Sequence, residues 1–297
     1  MRFGVHLPVV DFGDGSATVG DLQEYVRVAR ELGYDTVGAN DHLVWHRPWL
    51  DGLTALAAVA GQAAGMTLAT TVALPTLRRP VVLAKALTSL GALHGGSVIA
   101  GVGPGSSRAD YDAVGVAFAE RWSRFDADTV ALRRLLRGDG EPRLAPLADP
   151  VPQLWVGSWG SEQRLRAMAA TADGWLASGY NTTPEQYTAC RARLDGHLEQ
   201  VGRDPAAFPD LIATVWVHVT PSAAEASAVL GDVLAPTLRR DPHELAARLP
   251  VGTPEHCVAV LSAYAEAGAQ RMLLWPIREP VAQLRTFADL VAPHISC

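Results

Sequence analysis

The sequence predicts a single (β/α)8 barrel, and three observations carry that prediction. Short apolar or β-branched runs recur eight times, each followed by a segment whose apolar residues repeat at helical spacing. Residues 66–107 compress strand, helix and strand into one parallel, right-handed crossover. Finally, the junctions Glu31-Leu32-Gly33, Ala172-Asp173-Gly174 and Glu266-Ala267-Gly268 all lead into a strand, a rhythm that suits a barrel better than a doubly wound sheet.

Arg2 to Leu7 is the first strand, closed by Pro8. Thr18 with Asp21 has the spacing of a capping box. Leu22, Tyr25, Val26, Ala29 and Leu32 then form an apolar stripe, and Gly33 fits the position after the last turn. Tyr34 to Ala39 is the second strand and Asp51 to Ala64 an Ala-rich helix. Thr67 to Ala73, ended by Leu74-Pro75, reads as a strand buried on both faces. Pro80 suits a first helical turn, where its missing N–H is no loss, and Leu83, Leu87 and Leu90 continue as a stripe. Ser97 to Ala100 returns as strand four, and Glu120 to Arg137 is helical.

Residues 138–152 carry four prolines and are expected to make an excursion from the barrel, within one domain spanning 1–297. Leu154 to Val156, Gly174 to Ser178, Leu211 to Val219 and Arg271 to Trp275 complete the strands. Helices are expected over Glu162 to Ala172, Pro184 to Val201, Pro221 to Leu249, Pro254 to Ala267 and Val281 to Val291.

Composition narrows the function. The chain has 297 residues, 48% of them hydrophobic, and a net charge of −6, which argues against a nucleic-acid partner. Its one lysine, Lys85, lies mid-helix, so Schiff-base chemistry and Walker-type nucleotide binding are both disfavoured. Cys190, Cys257 and Cys297 are odd in number and lack C-x-x-C spacing, so neither a disulfide framework nor a thiolate metal site is expected. No signal-peptide pattern and no run of roughly 18 apolar residues is present, and the expectation is a cytoplasmic protein without a membrane partner.

In a barrel the active face lies at the C-terminal ends of the strands, and three loops stand out there. Asp41-His42 follows strand two: the imidazole can move a proton near neutral pH, with Asp41 to orient it or to bond a ligand, or the histidine can be structural. Gly101-Val102-Gly103-Pro104-Gly105-Ser106-Ser107 follows strand four. Ser106 stands where a dinucleotide fingerprint needs its third glycine, leaving a tight turn or a surface for a planar ring or phosphate tail. Gly157-Ser158-Trp159-Gly160-Ser161 opens a helix, a place for ordinary capping or for an anion; the two glycines favour the anion. Trp45, Tyr111, Trp159, Trp175 and Trp275 lie near strand ends, each more readily explained by packing, though together they suit an aromatic-walled pocket. No H-E-x-x-H zinc motif and no G-x-S-x-G elbow occurs.

Across nearly its whole length the sequence resembles the bacterial luciferase-like, flavin-dependent monooxygenase superfamily. The likeness is strongest in Gly33-Tyr34-Asp35 to Asp41-His42, in Thr70 to Thr76, in Ala100 to Gly105 and in Pro152 to Ser158. It implies a TIM barrel that binds FMN or the deazaflavin F420 at the strand C-termini, with a non-prolyl cis peptide at Thr71-Val72 against the cofactor ring. It further implies ring or tail contacts from Gly103, Gly105, Ser106 and Ser107 and phosphate contacts from Gly157, Ser158, Trp159, Gly160, Ser161, Ser178 and Gly179. His42, with Asp41 adjacent, would assist proton transfer.

The sugar-phosphate dehydrogenases of the F420 branch carry a Glu where this chain has Ser106, and lysines for the substrate phosphate; this chain has neither, which counts against that reaction. The expectation is an F420-dependent oxidoreductase passing a hydride to or from a small organic substrate. The alternatives are an FMN-dependent monooxygenase supplied by a separate flavin reductase, and a non-catalytic flavin-binding relative. A homodimer is usual for the family.

Overall fold

Eight parallel strands close a ring in the computed structural model, which describes residues 1–139, 141, 143–144 and 148–295. Strands β1 (Arg2–His6), β2 (Thr36–Ala39), β3 (Thr67–Thr70), β4 (Val98–Val102), β5 (Gln153–Gly157) and β6 (Gly174–Ser178) pair in chain order. β7 (Asp210–Val219) pairs with β6 and with β9 (Arg271–Pro276), and β9 returns to β1. A two-residue strand, β8 (Val251–Gly252), adds onto the end of β7 and escaped the sequence reading because it is too short for any period. Helices join the strands, the (β/α)8 architecture that the rhythm predicted.

The local signals act as their chemistry requires. Both halves of the Thr18–Asp21 capping box form, and Gly33 takes a left-handed φ of 84° past the end of the helix Val19–Glu31. Pro80 opens the helix Pro80–His94, and Asp51 caps the shorter helix Gly52–Val59 through Thr54 N. The expected helical stretch Pro221 to Leu249 is broken. A π-helical turn at Val229–Leu234 separates the helices Ala223–Ala228 and Ala235–Leu238, and Pro242 starts another at Pro242–Ala246. Pro236 and Pro242 lack the N–H groups a continuous helix would need.

Inside the barrel, large residues face glycines. A Cβ on Gly38 would sit 2.1 Å from Leu273 Cδ2, and one on Gly101 would sit 2.4 Å from Leu176 Cδ1. Leu273, Leu176, Ala69, Ile99, Trp155 and Leu211 fill this layer, so side chains close the barrel below and the site lies above it. Of the expected 138–152 excursion, residues 140, 142 and 145–147 lie outside the described residues. Leu144 and Ala148 are buried, Ala148 against Gly91. Cys190 and Cys257 are free and buried; Cys297 lies outside the described residues. Among the described residues no helix is long and apolar enough to cross a membrane.

Candidate active site

At the C-terminal mouth of the strands lies a cavity of about 410 Å³, within the size range of cofactor and small-ligand sites. It is reached by Asp41, His42, Thr71, Val72, Gly103, Gly105, Ser106, Gly157, Ser158, Trp159, Ser161 and Ser178. Three of the residues expected there do not line it. Ser107 instead caps the helix Arg108–Ala113 through Asp110 N. Gly179 packs on Val215, and Gly160 takes a φ of 89° where a Cβ would meet Cys190 Sγ at 2.0 Å. Packing against Cys190 thus excludes a side chain at the second glycine of the strand-five loop.

The floor is built around a break in β3. The ladder stops at Thr70, the Thr71–Val72 peptide is cis, and Ala73 rejoins through a bridge to Val102. Asn40 Nδ2 donates to the Thr71 carbonyl at 3.1 Å while its Oδ1 accepts from Asp41 N at 2.5 Å, so the end of β2 holds this peptide in place. Val72 projects between two glycines: a Cβ on Gly103 would lie 2.7 Å from its Cγ2, and one on Gly157 3.0 Å from its Cγ1. The result is a surface without side-chain bulk beside Val72, on which a flat ring can rest. Thr71 Oγ1 is buried and has no hydrogen-bond partner among the described residues. A planar heterocycle with polar edge atoms fits both features.

His42 does not pair with its neighbour. Its Nδ1 lies 2.7 Å from Asp110 Oδ2, and Asp110 Oδ1 accepts from Leu43 N and Val44 N at 3.0 and 2.7 Å. A carboxylate can only accept, so Nδ1 donates to it and Nε2 is left free of that bond. Asp41, 3% exposed, instead takes both Nε and Nη2 of Arg78 at 2.6 Å, and Arg78 also bonds Asp51. Sequence reading missed Asp110, because a partner so far along the chain leaves no local signal.

On the far side, Ser161 ends the loop as the N-cap of the helix Glu162–Thr171 without a side-chain capping bond, so first-turn N–H groups remain for an anion. Arg121 and Arg164 line the same wall. Arg121 lies over Phe118 at 4.1 Å, and Arg164, bonded to Asp126, lies over Trp122 at 5.1 Å. These cations were also missed. Across the cavity Thr214 adopts a φ of 58°, unusual for a β-branched residue, at the bulge where the β7–β9 register shifts.

Residues 1–249 match the family model of the luciferase-like monooxygenases. The chain belongs to that family. It is similar to the 5,10-methylenetetrahydromethanopterin reductase of Methanolobus tindarius, 26% identical over 246 residues that cover 79% of this chain and 71% of the relative. It is also similar to an F420-dependent glucose-6-phosphate dehydrogenase of Nakamurella multipartita, 30% identical over 228 residues, or 68% of this chain and 63% of the dehydrogenase. Among solved structures, the monooxygenase RslO1 from Streptomyces bottropensis superposes with a TM-score of 0.83 at 22% identity over 100% of both chains. An F420-dependent secondary alcohol dehydrogenase in complex with an F420-acetone adduct gives the same TM-score at 14% identity, covering 100% and 99%. At those identities the two structures speak for the fold. This luciferase-like chain is accordingly an oxidoreductase of the flavin- or F420-dependent kind.

Proposed function

We propose that this luciferase-like protein is an F420-dependent oxidoreductase acting on a small organic substrate, with His42 giving or taking the proton that accompanies hydride transfer. The observation that carries the reading is the His42–Asp110 pair on the same cavity as the Thr71–Val72 floor. Of the two curated relatives described above, the Nakamurella multipartita dehydrogenase is F420-dependent by name, which favours the deazaflavin over FMN. When bound, the deazaflavin supplies two-electron hydride chemistry.

The chain's own residues do the rest. Val72, Gly103 and Gly157 would give the ring a flat seat, and the unpartnered Thr71 Oγ1 would be available to a polar edge atom. Ser161 and the helix start behind it, with Ser158 and Arg121, would hold the anionic tail. Asp110 keeps Nδ1 of His42 protonated, so that Nε2 faces the reacting molecule and can exchange a proton with it. Asp41, fixed by Arg78, positions the segment that carries His42.

Titrating the apoprotein with F420 and, separately, with FMN tests the assignment. Preferential binding of F420 is expected. Tight binding of FMN alone would redirect the reading to an oxygenase fed by a separate reductase, and binding of neither would remove the cofactor from it. His42→Ala is expected to abolish most turnover while leaving F420 bound.

A further inference from the structure

We propose that Thr214 selects the substrate, its hydroxyl donating a hydrogen bond to the oxygen of an uncharged carbonyl compound. The proposal rests on the cofactor reading above, in that it takes a ring to be seated on the floor beside Val72. In the closed barrel β3 and β7 lie four strands apart by either route, so their ends face each other across the mouth. A ring on the floor at the end of β3 turns its open face toward the end of β7. Ala213 and Thr214 line the cavity there.

A regular strand could not present both residues. Successive side chains of a strand point to opposite faces, and Leu211 and Ala213 already hold the inner face, Leu211 in the layer that fills the barrel. Thr214 would then point outward to the helices. From Ile212 to Val215, however, β7 advances three residues while β9 advances two, from Met272 to Leu274. The extra residue makes a bulge, in which Thr214 takes its φ of 58°. Its side chain is turned into the cavity, and Val215 joins the main hydrophobic core. Glycine would meet that backbone angle without strain, whereas a β-branched residue meets it at a cost.

The hydroxyl that this arrangement presents has no other use. Thr214 is 8% exposed, and its hydroxyl makes no hydrogen bond among the described residues. Polar groups beside it are already paired. Asn181 Oδ1 accepts from Arg240 at 2.8 Å, and Asn181 Nδ2 donates to Ser178 Oγ at 3.0 Å. Gly179 N donates to the Ala213 carbonyl at 2.8 Å, which ties the ends of β6 and β7 together. A buried hydroxyl on a fixed strand end, open only to the cavity, is a donor in wait of a ligand oxygen.

Charge narrows the ligand. None of the residues that line the cavity from the ends of β6 and β7 is charged, whereas Arg121 and Arg164 stand on helices that follow β4 and β5. The Thr214 wall thus offers a carbonyl oxygen its hydrogen bond and gives a phosphate or carboxylate no counter-charge.

Ligand-observed NMR titration, which reads millimolar affinities, tests this on the protein loaded with whichever of F420 or FMN it binds. Cyclohexanone and methylenecyclohexane share a shape, and only the ketone has an oxygen. Thr214→Val removes the hydroxyl and keeps the branch. It is expected to weaken cyclohexanone about three- to tenfold and to leave methylenecyclohexane within about twofold. Thr214→Ser keeps a hydroxyl and is expected to hold both probes within about twofold of the parent. Thr214→Gly is expected to bind like Thr214→Val while its urea midpoint stays at or above the parent's, which a threonine kept only for structure would not allow. Cyclohexanecarboxylate is expected to bind at least about tenfold more weakly than cyclohexanone. No binding of cyclohexanone to the parent, equal loss of both probes in Thr214→Val, a lowered midpoint with intact ketone affinity in Thr214→Gly, or preference for the carboxylate would overturn the proposal. If FMN binds and F420 does not, the deazaflavin reading fails while the same probes still decide this one; if neither binds, both fall.

Discussion

Asp110, in the first turn of the helix Arg108–Ala113 that follows β4, holds the imidazole of His42 with Nδ1 and Oδ2 2.7 Å apart, while the sequence neighbour Asp41 turns to Arg78. The pair fixes one tautomer, because Asp110 also accepts two backbone amides and has no proton to offer back. Asp110→Asn keeps the size but can present an N–H to Nδ1, which favours the wrong tautomer. Turnover is expected to fall by about 10- to 100-fold, the usual range for losing an orienting carboxylate, with cofactor affinity within about twofold. Steady-state kinetics beside a cofactor titration check it; a loss confined to cofactor binding would deny Asp110 this role.

Two glycines that look alike in sequence should fail differently. Gly103→Ala places a methyl 2.7 Å from Val72 Cγ2 in the floor of the cavity, so cofactor Kd is expected to rise at least about tenfold, or 1.4 kcal/mol. Gly160→Ala places one 2.0 Å from Cys190 Sγ at a φ of 89°, away from the cavity, so stability is expected to fall by roughly 2–4 kcal/mol with cofactor Kd little changed. Adding Cys190→Ala should restore the steric part and leave the backbone part, which urea unfolding of the three variants would resolve.

These contrasts mark what was legible. Thr18 with Asp21, Pro80 and Gly33 act within a turn of themselves, so their roles could be read from spacing. His42 at a strand end could be placed at the mouth for the same reason. Its partner could not, since Asp110 joins it only when β2 and β4 are set in one barrel. The packing that excludes a side chain at Gly160 could not be read either, because Cys190 lies on another helix. Trp275 was noted as a strand-end aromatic, but its stack with Trp216 and His6 exists only through pairing of β9 with β7 and β1.

Arg78 neutralises two carboxylates at the base of the segment that carries His42, and one of them, Asp41, is nearly fully buried. Arg78→Met leaves that charge uncompensated, and a stability loss of about 3–5 kcal/mol is expected by urea denaturation. Asp41→Asn in the same background removes the stranded charge and should recover part of it. A single variant as stable as the parent would mean the cluster contributes little.

Acid should unfold this protein partly through His6. Its imidazole is fully buried and desolvation lowers its pKa from 6.5 to about 3, so between those values the unfolded chain binds the proton and the folded one does not. Stability contributed by this group is complete above about pH 6.5 and is lost as pH falls through that window, with a limiting slope of about 1.4 kcal/mol per pH unit. His218 is shifted the same way by burial and adds to the trend. His6→Phe keeps an aromatic ring against Trp275 and removes the titration. Urea unfolding at pH 7, 5.5 and 4.5 should therefore show the parent losing about 1 kcal/mol per pH unit more than the variant below pH 6. Parallel pH dependences would mean that the folded state protonates His6 as readily as the unfolded chain does.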